Sequence, residues 1–172
     1  RAVRRDGARP GDAIVVTGSF GTGAAGRRLS EARSWSAEER DALGRFARPT
    51  PRVGEGAVLA ARGATAMIDV SDGLALDLSR ICAAGGVGAR IELAEIPVHP
   101  AATLDEALGG GEDYELIATL PADAVDPARE ELGASFGVPL TPIGAIIEEG
   151  LLAVDEGGTE RPLRIEGWDH FG

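Results

Sequence analysis

Glycine and proline punctuate this chain so densely that its regular structure must come in short pieces. There are 25 glycines and 10 prolines among 172 residues, which implies many turns and close backbone approaches. Gly11-Asp12 lead into the apolar run Ala13-Ile14-Val15-Val16, a turn into a strand. The small-residue stretch Thr17 to Gly26 then opens a helix running through Leu29 and Ala32. Ser36 with Glu39 forms a capping-box pattern, so a second helix starts there and stops near Arg48, before Pro49 and Pro51. Glu55 to Arg62 is Ala-rich and reads as helix, and Ala66 to Val70 as a short apolar strand. Beyond the Ser71-Asp72-Gly73 break, Leu74, Leu78, Ile81 and Cys82 fall on one helical face, and Gly85-Gly86 end that helix.

The second half continues in the same manner. Ala89 to Leu93 alternates as a strand, and Ala101 to Leu108 reads as a helix. Gly109 to Asp113 is a turn before the strand Tyr114 to Ala118. Asp126 to Leu132 reads as a helix, and residues 142–147, 151–154 and 162–165 as strands. Strands mixed with helices in this order predict an α/β sandwich rather than an all-α or all-β fold. With no internal repeat and no long linker, residues 1–172 read as a single domain.

Apolar residues make up 44% of the chain but aromatics only 4%, so the core must be built from Ala, Val, Leu and Ile. The net charge is −11, and all 17 basic residues are Arg. A net-negative surface repels phosphate at long range, which argues against non-specific nucleic-acid binding, although a local Arg cluster can hold one phosphate. The single cysteine, Cys82, excludes an intrachain disulfide and, on its apolar helix face, reads as a packed thiol. No apolar run reaches the roughly 18 residues of a membrane span. The opening residues carry no signal-peptide pattern and read like mid-protein sequence.

Four constellations can carry chemistry. In Ile68-Asp69-Val70-Ser71-Asp72-Gly73, two carboxylates three residues apart flank a strand-to-helix turn, and their hard oxygens suit Mg²⁺ bridged to phosphates. The competing reading makes Ser71 or Asp72 the N-cap of the following helix. Gly109 to Glu115 sets three carboxylates and Tyr114 beside a glycine turn; it reads either as a substrate-contacting loop or as a solvated acidic turn. The tail Gly167-Trp168-Asp169-His170-Phe171 offers Trp168 for stacking on a planar ring, or as an aromatic plug at the core edge. The glycine-rich Thr17–Gly26 stretch is no Walker A loop, because the chain contains no Lys. It reads as a tight turn. Arg52, in Pro49-Thr50-Pro51-Arg52, is expected to make a surface salt bridge unless it meets a phosphate or a domain-interface carboxylate. His99 reads as a loop residue.

Taken in order, these pieces resemble the thiamine-monophosphate kinase family of the aminoimidazole-ribonucleotide-synthetase-like superfamily. The likeness runs from Pro10-Gly11-Asp12 through Pro49-Thr50-Pro51-Arg52, Ile68-Asp69-Val70-Ser71-Asp72-Gly73-Leu74 and Gly110-Gly111-Glu112-Asp113-Tyr114-Glu115-Leu116 to Gly167-Trp168-Asp169-His170-Phe171. It implies an α+β fold, a layered sandwich with a mixed sheet like the superfamily's C-terminal domain. It also implies phosphoryl transfer from ATP to thiamine monophosphate in the cytoplasm, giving thiamine diphosphate. By the same likeness Asp69 and Asp72 ligate Mg²⁺, Ser71 contacts ATP, and Tyr114 and Trp168 contact the thiamine phosphate; no residue is assigned as catalytic. Family members carry an N-terminal domain that supplies most of the Asp ligands, much of the ATP site and the homodimer interface. Nothing in residues 1–172 corresponds to it, so the isolated chain is expected to be inactive. Two other readings remain open: another superfamily member, of the purine-biosynthetic synthetase or hydrogenase-maturation type, or a non-catalytic binding module.

Overall fold

A computed structural model describes residues 2–165. Seven strands form one sheet: β1 (Ala13–Thr17), β2 (Ala66–Asp69), β3 (Gly88–Glu92), β4 (Leu116–Leu120), β5 (Leu140–Ile147), β6 (Leu151–Val154) and β7 (Glu160–Pro162). Their order across the sheet is β2-β4-β1-β5-β3-β6-β7. Every pairing is antiparallel except β3 with β6, so the sheet is mixed, as expected.

The alternation of side chains along the strands divides the core in two. Ile14, Val16 and Ile117 belong to one apolar cluster, Val15 and Ala118 to the other. Helices α4 (Leu74–Gly85) and α5 (Leu104–Gly109) supply the first cluster with Leu74, Leu78, Ile81, Cys82 and Ala107. Helices α3 (Val53–Ala61) and α6 (Val125–Phe136) supply the second with Leu59, Ala128 and Leu132. The result is a layered sandwich with helices on both faces of the sheet. A pair of helices, α1 (Thr22–Leu29) and α2 (Ala37–Ala47), packs through Ala25, Leu29 and Ala42. Phe20, with no exposure, is the large aromatic of the first cluster; the rest is aliphatic, as a chain with 4% aromatics requires.

Several local expectations hold. The Ser36–Glu39 capping box is present, with Ser36 Oγ accepting from the Glu39 N–H. α4 ends on Gly86 in the left-handed region. Cys82 is buried, and burial pushes its thiol up to about 11, so it is an inert packed residue.

Several boundaries differ from expectation; α1, for one, ends at Leu29 rather than Ala32. α5 begins at Leu104 rather than Ala101, because Thr103 and Glu106 form a second capping box. β4 begins at Leu116 rather than Tyr114, because Glu112 and Tyr114 take positive φ of 60° and 52°. β7 occupies residues 160–162 rather than 162–165. In β5, Pro142 pairs with Val15 and Gly144 with Ile14, which leaves Ile143 without a partner across from β1. This bulge lets a proline sit in an interior strand and turns Ile143 into the first core cluster.

Candidate functional site: two acidic segments joined by their backbones

The Asp69–Gly73 turn and the Gly111–Glu115 segment lie side by side. β2 and β4 pair up to Asp69 and Leu116, and the pairing continues irregularly beyond them. The Val70 N–H donates to Glu115 O at 2.8 Å, the Tyr114 N–H to Val70 O at 2.9 Å, and the Glu112 N–H to Ser71 O at 2.8 Å. Gly111, at φ 65°, is needed for this approach: a Cβ there would stand 2.7 Å from Ser71 O. Two motifs 40 residues apart therefore form one structural unit, and Asp69, Ser71, Asp72 and Tyr114 are brought to the same end of the sheet.

The carboxylates of this unit fall into two kinds. Asp69 is exposed at the end of β2. Asp72 is half-buried and accepts from Arg80 Nη2 at 2.5 Å, and Ser71 Oγ lies 3.2 Å from Asp72 Oδ1. Neither Ser71 nor Asp72 caps α4. The N-cap is Gly73, at φ 125° and without a side-chain bond, so the capping reading is overturned. A reversed device replaces it. Asp77, in the first turn of α4, reaches back and accepts the Ser71 N–H at 3.1 Å and the Asp72 N–H at 3.0 Å on one oxygen. Its other oxygen accepts from Arg80 Nη1 at 2.5 Å. Asp77 has no solvent exposure. Burial pushes its pKa up, against the opposing pull of the turn N–H donor and Arg80.

Asp113 and Glu115 are buried, which corrects the reading of this segment as a solvated acidic turn. Asp113 closes the N-terminus of α1 from 92 residues away. It accepts from the Gly21 N–H at 3.0 Å, the Gly23 N–H at 3.1 Å and Thr22 Oγ1 at 2.8 Å. Burial raises its pKa, and the same hydrogen bonds oppose the rise. Glu115 accepts a bidentate pair from Arg52, Nε at 2.8 Å and Nη2 at 2.6 Å, and a further bond from Thr17 Oγ1 at 2.7 Å. Arg52 also reaches Glu55 at 3.1 Å. The Arg52 side chain is only 13% exposed, so this is a largely buried network and not the expected surface bridge. The Glu115 hydrogen bonds raise the Arg52 pKa.

Tyr114 is 39% exposed and holds φ 52°. An aromatic residue there is backbone strain of about 1 kcal/mol or more, the kind of outlier that clusters at binding sites. Of the glycine-rich Thr17–Gly26 stretch only residues 18–21 form the expected turn, since Thr22–Gly26 already belong to α1; Asp113 and Glu115 hold it. His99 is a loop residue, as expected, and it is buried. Its Nδ1 accepts from the Ala101 N–H and its Nε2 lies 3.0 Å from Asp41 Oδ2, tying α2 to the loop before α5. A cavity of about 180 Å³ opens beside Leu108 and Gly109, lined also by Leu93, Ala153, Arg161 and Leu163; Asp69, Asp72 and Tyr114 do not line it. Trp168 and His170 lie outside the described residues.

A family model described as AIR synthase related protein, C-terminal domain, matches residues 9–156. The chain belongs to that family. Thiamine-monophosphate kinase of Escherichia coli K12 is 41% identical over 189 residues, covering 99% of this chain and 56% of that protein. A structure of AaThiL complexed with AMPPCP and TMP superposes with a TM-score of 0.83 at 30% identity, over 99% of this chain and 55% of that one. A thiamine-monophosphate kinase from Stenotrophomonas maltophilia K279a gives 0.81 at 38% identity, over 88% and 52%. The AIR synthase related family thus accounts for the mixed sheet and its layers, and the resemblance to thiamine-monophosphate kinases holds along nearly the whole chain. The chain spans about half the length of the relatives it matches.

As for metal, hard carboxylate oxygens at Asp69 and Asp72 suit Mg²⁺, which takes one or two carboxylates and completes its shell with water and phosphate oxygens. Among the described residues no group of three or more His, Cys, Asp or Glu is placed to hold a metal ion. Asp69 and Asp72 would therefore supply at most part of a Mg²⁺ shell. Among the described residues no helix is long and apolar enough to cross a membrane.

Proposed function

We propose that this chain is the C-terminal half of an ATP-dependent, cytoplasmic thiamine-monophosphate kinase. In the reaction a terminal phosphate oxygen of thiamine monophosphate attacks the γ-phosphorus of ATP. The bond from that phosphorus to the β–γ bridging oxygen breaks, ADP leaves with its electron pair, and thiamine diphosphate is formed. Such transfers need little covalent help from the protein; positioning and charge neutralisation dominate. Asp69 and Asp72 would hold Mg²⁺, which when bound neutralises charge on the phosphates. Ser71 would contact ATP, and Tyr114 and Trp168 the thiamine phosphate.

The observation that carries this reading is the junction itself. Backbone bonds from Val70, Tyr114 and Glu112 hold the Asp69–Asp72 turn against the Tyr114 segment, so a phosphate-side motif and a substrate-side motif are presented together. A thiamine-monophosphate kinase 41% identical along 99% of this chain supports the same assignment. So does a similar structure complexed with AMPPCP and TMP. The half-length match supports a second, N-terminal domain; on this reading that domain completes the metal and ATP sites and forms the homodimer.

The test is reconstitution. Residues 1–172 incubated with ATP, Mg²⁺ and thiamine monophosphate should form no thiamine diphosphate. Adding the N-terminal half of a thiamine-monophosphate kinase in trans, or restoring it by fusion, should produce it. Turnover by residues 1–172 alone, or none in the fused protein, contradicts the proposal.

A further inference from the structure

Arg80 is the feature of this site that neither the motif nor the fold explains. Its guanidinium bridges two carboxylates, with Nη2 on Asp72 and Nη1 on Asp77, each at 2.5 Å. The two partners differ. Asp77 is fully buried, lies three residues before Arg80 on α4, and is itself fixed to the backbone of the Ser71–Asp72 turn. Asp72 is half-buried on the turn, three residues from the exposed Asp69. Arg80 is thus anchored at one end by Asp77 and can give up its other contact without leaving the helix.

We propose that Arg80 is a built-in competitor for the divalent cation at Asp72. It neutralises that carboxylate while no metal is bound and is turned aside from it, still held by Asp77, when a divalent cation binds. This rests on the reading of Asp69 and Asp72 as the metal-carrying residues. A guanidinium and a divalent cation cannot both draw fully on one half-buried carboxylate. Affinity at the turn is then set by the difference between them. The Arg80–Asp72 contact accordingly keeps metal affinity low in this half of the protein until phosphate oxygens and further ligands arrive to tip the balance. Arg80 is on this account a positioning residue that tunes metal affinity, not a ligand.

The expected size follows from Coulomb's law. A unit positive charge roughly 6 Å from a divalent ion, screened as in bulk water, weakens binding by about tenfold. The experiment is a Mn²⁺ titration of this chain, with free Mn²⁺ followed by electron paramagnetic resonance. Arg80→Gln should bind Mn²⁺ about tenfold more tightly than wild type, and the gap should narrow at about 1 M salt. Arg80→Lys keeps the charge and should bind like wild type, a rescue that a merely structural role would not produce. Arg80→Met, also compatible with a helix, should match Arg80→Gln and guards against a folding defect in either variant. Equal or weaker Mn²⁺ binding by folded Arg80→Gln and Arg80→Met overturns the inference and leaves the metal reading standing. No Mn²⁺ binding by wild type or by these variants also overturns the inference, while the metal reading is then decided by Asp69→Asn in the reconstituted kinase.

Discussion

The two acidic segments at this end of the sheet carry similar residues and use them in opposite ways. Asp69 and Asp72 keep their carboxylates at or near the surface, with Arg80 paired to Asp72. Asp113 and Glu115 turn theirs inward, where Thr17, Gly21, Thr22, Gly23 and Arg52 donate to them. Burial makes the difference. A buried carboxylate must be fully hydrogen-bonded to be tolerated, so it becomes scaffold. A carboxylate nearer the surface carries a smaller desolvation cost and can exchange partners with a ligand. The inward pair holds the glycine-rich turn and the Tyr114 strand-end in place, and the outward pair is what that frame presents.

Breaking the frame should cost the most. Glu115→Ala strands the Arg52 guanidinium in a largely buried site with, among the described residues, only Glu55 left to it, and should destabilise the chain by about 3 kcal/mol in urea unfolding. Gly111→Ala forces a Cβ to within 2.7 Å of Ser71 O at φ 65°, and should cost on the order of 2 kcal/mol while pushing the two segments apart.

Asp113→Asn presents an amide to the N–H groups of Gly21 and Gly23 and should cost about 1–2 kcal/mol. That deficit has a pH dependence of known sign. Burial raises the Asp113 pKa above its ordinary 3.8, so the native state binds this proton more readily than the unfolded state. The group's contribution is therefore most favourable at low pH and declines as pH rises from 3.8 through the native value. Wild type's advantage over Asp113→Asn should accordingly grow as pH falls from neutrality, measured by urea titrations at stepped pH. A constant deficit would mean the carboxylate is no harder to ionise in place than in water.

At the other extreme, Asp69→Asn should change stability by less than about 0.5 kcal/mol yet abolish thiamine diphosphate formation in the reconstituted kinase. A large loss of stability in Asp69→Asn would place that residue in the frame and erase the contrast.

Local chemistry was legible from the residues alone. The helical face of Leu74, Leu78 and Ile81, the Ser36–Glu39 box and the β1 run all carry their signals within a few residues. The Thr103–Glu106 box carries the same signal, but the Ala101-Ala102 pair before it reads equally well as helix. The destinations of Asp113, Glu115 and Arg52 were hidden for a different reason. Apart from the Arg52–Glu55 bond, the partners described above lie between 63 and 98 residues away, and no periodicity records a bond across that distance. Asp77 failed to stand out because a carboxylate in a helix's first turn is ordinary, and only the backbone course of the Ser71–Gly73 turn shows that it reaches backward. The Asp69–Asp72 pair was visible as a motif; that Arg80 sits against it was not.

The division between scaffold and ligand-facing carboxylates can be read directly by following side-chain carboxyl ¹³C resonances through a Mg²⁺ titration. Asp69 and Asp72 should shift saturably, while Asp77, Asp113 and Glu115 stay in place. Movement of Asp113 or Glu115 with the metal, or an Asp69 signal indifferent to it, would contradict the account.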